Sequence, residues 1–374
     1  MEALHLRQDA GSDLLAAIDR SFRTQAMPLS AFDRAAYFLA RRGLADAEEA
    51  FAAAWAAPPT EWGLLGGLGA YGLLARALYR ETRSAGYDKI ANQIAELAAI
   101  ELETDGADLR TTPLGLATGL SGLGLFAVGE RGTATGRMLL DTLLGRLVEV
   151  ALVEDPHPWQ NDGGPLPPGL FDGELGIRAF LSQAAPLDRR AASLLRVTDE
   201  SIARKTVSMA GALALLEGPP SSADGTARHE RFGLGHGALG WFTATHDPFV
   251  SGGGAGLDTP FVADRGADGE GRNELFLMTA GREWSFLENA DVSLRTGTAG
   301  FAVCSMMERP FDYATTGALI ERLESQLDGE GVDDTSFFDG LSGAAATLHA
   351  LHTGTRGWWF SLLGYATDAE LTVG

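Results

Sequence analysis

The chain has 374 residues with 45% hydrophobic content, ordinary for a globular protein. Its formal net charge of -21 argues against a nucleic-acid phosphate surface or an anionic membrane as partner, and leaves a basic peptide or a neutral small molecule open. A single cysteine, Cys304, can form neither an internal disulfide nor a multi-cysteine zinc cage, which fits a reducing cytoplasm.

The first residues, Met1-Glu2-Ala3-Leu4-His5, lack the basic flank and apolar run of a signal peptide. No run of about 18 apolar residues marks a membrane span. Ser12 to Arg23 and Ser30 to Ala57 read as two amphipathic helices with Ser12 and Ser30 as N-caps; Pro58-Pro59 stops the second. A glycine-rich stretch, Gly63 to Leu78, follows, and then a helix with Ile90, Ile94 and Leu97 along one face. Further helices are expected over Arg137 to Val153, Arg189 to Leu216 and Thr315 to Leu327, ahead of an aromatic tail at Trp358-Trp359-Phe360. Strand-like alternation is scarce throughout. The reading is all-α.

Between these helices one phrase recurs: a small residue, Leu or Phe, two variable residues, Gly, two variable residues, Gly, then an apolar run. The copies are Gly115-Leu116…Gly119…Gly122, Gly169-Leu170…Gly173…Gly176, Gly233-Leu234…Gly237…Gly240, Ser293-Leu294…Gly297…Gly300 and Ser336-Phe337…Gly340…Gly343; a looser one reads Leu65…Gly69…Gly72. A lone Gly-x-x-Gly carries no weight in a chain with 48 glycines, but the long phrase leads each time into an apolar run and then a second helix. Glycine at a helix start permits tight turns and close helix approach, at about 0.5–1 kcal/mol each relative to Ala. Repeating that cost implies a crowded inner ring of nearly apolar helices, each paired with an amphipathic outer helix. Six to seven such hairpins closing on themselves make an α/α toroid. No linker divides the chain, so residues 1–374 are expected to form one domain, with helices of residues 1–60 packing on it.

The segments before the third and fifth copies, Glu154 to Pro168 and roughly His246 to Arg282, are long and polar, and both lead to one mouth of the toroid. Loops of this length are commonly functional. Ser251 to Gly256 lacks a following Lys-Ser/Thr, so it is read not as a phosphate loop but as a flexible lid, with plain disorder the alternative.

The copy at Gly233 to Trp241 carries His236 directly before its core glycine. Together with the phrase, the hairpin period and the ending Ser336 to Gly343 with Trp358 and Leu362-Leu363, it resembles the lanthionine synthetase C-like family over about residues 60 to 360. The resemblance implies an α/α toroid that adds a peptide Cys thiol to a dehydroalanine or dehydrobutyrine, making thioether rings in a ribosomal peptide. It also implies zinc ligands: a Cys before one glycine motif and a Cys-His pair before the next. Here those positions read Leu294-Arg295-Thr296-Gly297 and Phe338-Asp339-Gly340, with no thiolate. The family's acid four residues before the third core glycine is matched by Gly169, and the nearest acid is Asp172. The zinc chemistry is therefore not carried over, and neither a metal nor another cofactor is expected.

His236 at a helix N-terminus can exchange a proton with a thiol or an enolate; a turn-satisfying His is the alternative. Arg295 can polarise the acceptor carbonyl in place of a metal, or form a surface ion pair. Asp172 and Asp339, each before a core glycine, can orient His236 or a substrate amide, or simply cap their helices. Trp159 and Thr296 are candidate substrate contacts, with a loop anchor the alternative for Trp159. His349 and His352 could hold metal only with a third ligand. Cys304 and Trp241 read as core residues.

The expected function is zinc-independent, lanthipeptide cyclase-like thioether formation on a ribosomally made precursor peptide, with an acidic surface favouring a basic segment of that peptide. The alternative is a non-catalytic scaffold presenting the modified peptide to a kinase, lyase or decarboxylase. A six-hairpin glycosidase shares the architecture but needs paired acids and an aromatic lining.

Overall fold

The computed structural model describes residues 2–24, 26–104, 112–152, 158–161, 164–166, 169–206, 291–295, 297–300, 302–303, 313–328, 334–353 and 357–363. Their helices in chain order are α1 (Glu2–Arg23), α2 (Ala31–Ala40), α3 (Leu44–Trp55), α4 (Leu68–Thr82), α5 (Ala85–Thr104), α6 (Leu120–Gly129), α7 (Ala134–Ala151), α8 (Glu174–Ala184), α9 (Arg189–Thr206), α10 (Tyr313–Asp328) and α11 (Leu341–Thr353). A 3-10 turn spans Trp358–Leu363, and Gln160–Asn161 pairs antiparallel with Gly164–Pro165 in a minimal hairpin. Among the described residues, no helix is long and apolar enough to cross a membrane.

Two helix boundaries depart from the sequence pattern. Helix α1 begins at Glu2, so Ser12 lies within it and caps nothing. The expected helix from Ser30 to Ala57 is broken into α2 and α3. Ser30 does cap α2, accepting from the Asp33 N–H at 3.0 Å. At its far end Arg42 takes a left-handed φ of 61°, and Gly43 N–H donates to the Phe38 carbonyl at 2.7 Å. That is a Schellman-type stop with Arg where Gly is the usual choice, so the break is hard to read from residue type. Of the helix expected over 189–216, the part to Thr206 is described.

The inner ring follows from packing. Helix α4 lies against α6 and α6 against α8, while the outer helices α5, α7 and α9 run beside one another. Each inner helix also packs on its own outer partner: α4 on α5, α6 on α7, α8 on α9. Composition explains the layering: every residue of α6 from Leu120 to Val128 is buried, whereas α7 buries one stripe of Leu139, Leu140, Leu143, Leu144 and Leu147. Helix α11, buried from Leu341 to Leu348, contacts α2, and α2 contacts α4, with Phe32 stacked on Tyr71 at 4.9 Å. Helix α2 thus stands in the inner ring between the last and first glycine-started helices without carrying the phrase. One continuous apolar cluster runs from Leu14 to Leu363. The architecture is an all-α, α/α toroid.

Polar pairs tie helices both between and within hairpins. Arg76 of α4 grips Glu130, 2% exposed at the end of α6, through both Nε and Nη2, and reaches Asp88 of α5 at 2.7 Å. Arg178 of α8 meets Asp199 of α9 at 2.8 Å, and the buried Glu174 accepts from Ser201 at 2.9 Å.

Candidate functional site

The glycine phrase folds as one turn, repeated. In the first copy the N–H groups of Leu68, Gly69 and Ala70 donate to the carbonyls of Glu61, Trp62 and Gly63 at 2.8, 2.9 and 3.2 Å. Leu120 and Ser121 donate likewise to Pro113 and Leu114, and Thr298, Ala299 and Gly300 to Asp291, Val292 and Ser293. Leu341 donates to Asp334 at 3.0 Å. Each donor reaches back seven residues, so the turn before an inner helix caps that helix with its own carbonyls. The glycine N-caps Gly67 and Gly119 accordingly need no side-chain cap. These helix starts are satisfied from within and leave those N–H groups unavailable to a ligand anion.

The repeated geometry corrects the register of the first copy. Its core glycine is Gly67, not Gly69, and the phrase reads Gly63-Leu64…Gly67…Ala70. Ala in place of the final glycine is what hid it.

Adjacent turns are stitched to one another. Leu64 and Leu65 N–H donate to the carbonyls of Leu116 and Ala117 at 2.9 and 2.8 Å, and Ala117 N–H donates to Phe171 at 2.8 Å. Further round, Leu294 and Arg295 N–H both donate to the Phe338 carbonyl, at 3.0 and 3.1 Å. The residues two before each core glycine therefore converge. Phe171 and Phe338, from the third and sixth copies, meet edge to face at 5.6 Å and are essentially buried. The residues one before, Gly66, Thr118, Asp172 and Asp339, are half-buried around this end of the ring, the mouth.

Two residues proposed from separate motifs meet there. Arg295 Nε lies 2.7 Å from Asp339 Oδ1, with the side chains 32% and 34% exposed. Burial is the largest influence on the Asp339 carboxyl and pushes its pKa up; Arg295 pulls it down, and Asp334 and Asp291 push it up again. The net direction is upward. Asp291 and Asp334 each accept a backbone N–H two residues on, from Ser293 at 2.9 Å and Ser336 at 2.7 Å. These Asp-x-Ser turns are a shared signal of the fifth and sixth copies that the glycine spacing alone overlooks. Asp172 is half-buried at the same mouth, following the Phe171 that touches Phe338.

The three positions at which the family resemblance implies zinc ligands thus hold a guanidinium, the buried ring of Phe338 and the carboxylate that pairs with the guanidinium. A cation cannot share that carboxylate with an arginine nitrogen 2.7 Å away, so these residues do not fit a metal. Among the described residues, no group of three or more His, Cys, Asp or Glu is placed to hold one.

Trp159 is a loop anchor rather than a substrate contact. Its ring is fully buried, Nε1–H donates to Thr198 Oγ1 at 3.0 Å, and its carbonyl accepts from Leu166 N–H at 3.0 Å. His349 and His352 lie on α11 away from the mouth, and His349 Nδ1 sits 2.7 Å from Arg41 Nη1. His236, Trp241, Thr296, Cys304 and the segment 246–282 lie outside the described residues.

No family model matches the sequence, and no curated protein matches it. Among solved structures, the chain is similar to nisin cyclase, at 16% sequence identity and a TM-score of 0.41, covering 87% of this chain and 96% of that one.

Proposed function

We propose that the protein is a zinc-independent, lanthipeptide cyclase-like enzyme, forming thioether rings in a ribosomally made precursor peptide by adding a Cys thiol to dehydroalanine or dehydrobutyrine. The observation that carries the reading is the Arg295–Asp339 pair at the convergence of the repeated turns. It sets guanidinium N–H donors at the mouth, where a Michael addition develops negative charge on the acceptor carbonyl oxygen. His236 stands one residue before its core glycine in sequence, as Asp172 and Asp339 do. It is assigned the proton transfers: it accepts the thiol proton and returns a proton to the α-carbon. Asp172 and Asp339 are polar helpers, and Thr296, next to Arg295 in sequence, is a candidate substrate contact. The chain is read as a single cytoplasmic domain working without a cofactor, in sequence with a kinase, lyase or decarboxylase acting on the same peptide.

A non-catalytic, peptide-presenting role is the second reading, favoured by the replacement of the expected metal ligands with Arg295 and Asp339. Incubating the purified protein with a dehydrated, cysteine-containing peptide and following thiol loss separates the two. Ring closure above the uncatalysed rate, lost in His236→Ala, supports the enzyme. Peptide binding without acceleration supports the scaffold and removes the catalytic reading.

A further inference from the structure

Three observations set Arg295 and Asp339 apart from the rest of the mouth. In the other described turns the residue two before the core glycine is Leu65, Ala117, Phe171 or Phe338, all apolar; Arg295 puts a charge in that series. Arg295 is also held twice by consecutive residues of the last turn: its backbone N–H donates to the Phe338 carbonyl at 3.1 Å, and its guanidinium is ion-paired with Asp339, Nε lying 2.7 Å from Oδ1 without the alignment of a hydrogen bond. Finally, the pair is poorly arranged as a stabiliser. A carboxylate recruited for stability has its pKa drawn down by its cation, whereas burial, Asp334 and Asp291 together leave Asp339 shifted up. A pair this exposed contributes at most about 1 kcal/mol. Stability is therefore a weak reason to place a charge among apolar neighbours, while function is a sufficient one.

We propose that Asp339 is a positioning residue: by ion-pairing with the Arg295 guanidinium it fixes that group, whose N–H donors take the carbonyl oxygen of the dehydroamino-acid acceptor. This rests on the cyclase reading above. In the step itself the thiol proton passes to the general base and the sulfur forms its bond to the β-carbon. The C=C π pair moves onto the carbonyl oxygen as an enolate beside Arg295. Collapse of the enolate takes a proton at the α-carbon, so no proton enters or leaves overall. Asp339 carries no proton in this sequence. Its part is to keep a flexible side chain in one orientation, which a guanidinium does well because its donors form a rigid plane.

The test uses full-length protein and a synthetic peptide bearing one dehydroalanine and one cysteine, with ring closure read as thiol loss. Asp339→Asn is expected to lower kcat about 10- to 100-fold, the scale of a misplaced catalytic group, with KM changed less than about twofold. Asp339→Glu recovers part of the rate. The double variant Arg295→Gln/Asp339→Asn is expected to be no slower than Arg295→Gln alone, because the two residues act as one unit. Unchanged turnover in Asp339→Asn, or losses that multiply in the double variant, overturns the proposal. Should wild-type protein close no ring, the cyclase reading fails separately. The holding of Arg295 is then decided in arginine-15N-labelled protein: a motionally restricted Arg295 guanidinium in 15Nε relaxation, made mobile in Asp339→Asn, supports the positioning role. Equal mobility in both proteins overturns it.

Discussion

Asp33 Oδ1 accepts a hydrogen bond from the Phe337 backbone N–H at 3.0 Å, joining the second helix of the chain to its last glycine turn. Beside it, Thr335 Oγ1 donates to the Pro28 carbonyl, so two contacts spanning some three hundred residues of sequence close the ring. The other Asp33 oxygen meets Ser30 Oγ at 2.5 Å. Phe337 is fully buried, so its N–H has no recourse to water. Asp33→Ala is expected to destabilise the fold by about 1–3 kcal/mol, the cost of orphaning a buried donor. Asp33→Asn keeps an acceptor and removes a charge that burial already disfavours, since burial raises the Asp33 pKa despite its hydrogen bonds. That variant should fall within about 1 kcal/mol of wild type in urea unfolding. Equal losses for both substitutions would show that the hydrogen bond contributes nothing.

Glycines of the turns and glycines of the outer helices should respond oppositely to alanine. A Cβ on Gly122 would lie 2.9 Å from Gly63 Cα, and one on Gly69 2.9 Å from the Gly122 carbonyl, both backbone that cannot give way. Gly122→Ala is expected to cost about 1–3 kcal/mol from overpacking between α4 and α6. Gly145, inside α7, has open space where a methyl would stand and a helical backbone that alanine adopts freely. Gly145→Ala is expected to gain about 0.5–1 kcal/mol in helix propensity. Thermal melts of the two variants check this, and a stabilised Gly122→Ala would refute the crowded inner ring.

The toroid was legible in sequence because each repeat needs the same two things, a glycine where helix starts crowd and an apolar inner face. Those requirements act on residue type and recur at readable spacing. The first copy slipped by two residues because Ala70 fills a glycine slot whose neighbours tolerate a methyl. The break at Arg42 was hidden because a left-handed backbone does not demand glycine. The Arg295–Asp339 pair illustrates a different limit. Each residue stood out alone, but their meeting depends on the stitching of adjacent turns through the Phe338 carbonyl, a tertiary relationship that no local pattern encodes. Trp159 failed for the same reason: a polar loop suggested exposure, and Thr198, 39 residues on, supplies the partner that lets the indole be buried.

Trp159→Phe removes the indole donor yet leaves Thr198 bonded to the Leu194 carbonyl at 2.8 Å. The expected loss is therefore about 1–2 kcal/mol, near that of one buried hydrogen bond with some packing. Trp159→Ala should lose about 3–5 kcal/mol. For the phenylalanine variant, peptide affinity by titration calorimetry should match wild type. A weakened affinity with unchanged stability would restore Trp159 as a substrate contact.

At the other end of α11, His349 makes stability depend on pH. Arg41 Nη1 can only donate, so His349 Nδ1 must accept and the ring is neutral with its proton on Nε2. Burial first, then the charges of Arg41 and Arg42, push its pKa from 6.5 down to about 4, partly opposed by Asp19. Between those values the unfolded chain binds the proton and the folded one does not, so stability rises with pH across the window. The contribution is full above 6.5 and is lost as pH falls towards 4. The complete shift corresponds to about 3 kcal/mol, which solvent screening of a half-exposed ring reduces to about 1–2 kcal/mol. His352, lowered by burial and Arg41, adds in the same direction. His349→Gln retains an acceptor for Arg41 without a titrating ring. Its urea midpoint is expected to fall less steeply than wild type as pH drops from 6.5 to 4. Identical slopes would place the acid sensitivity elsewhere, and a steeper slope would mean that the imidazole is stabilised by protonation, contrary to its pairing with a guanidinium.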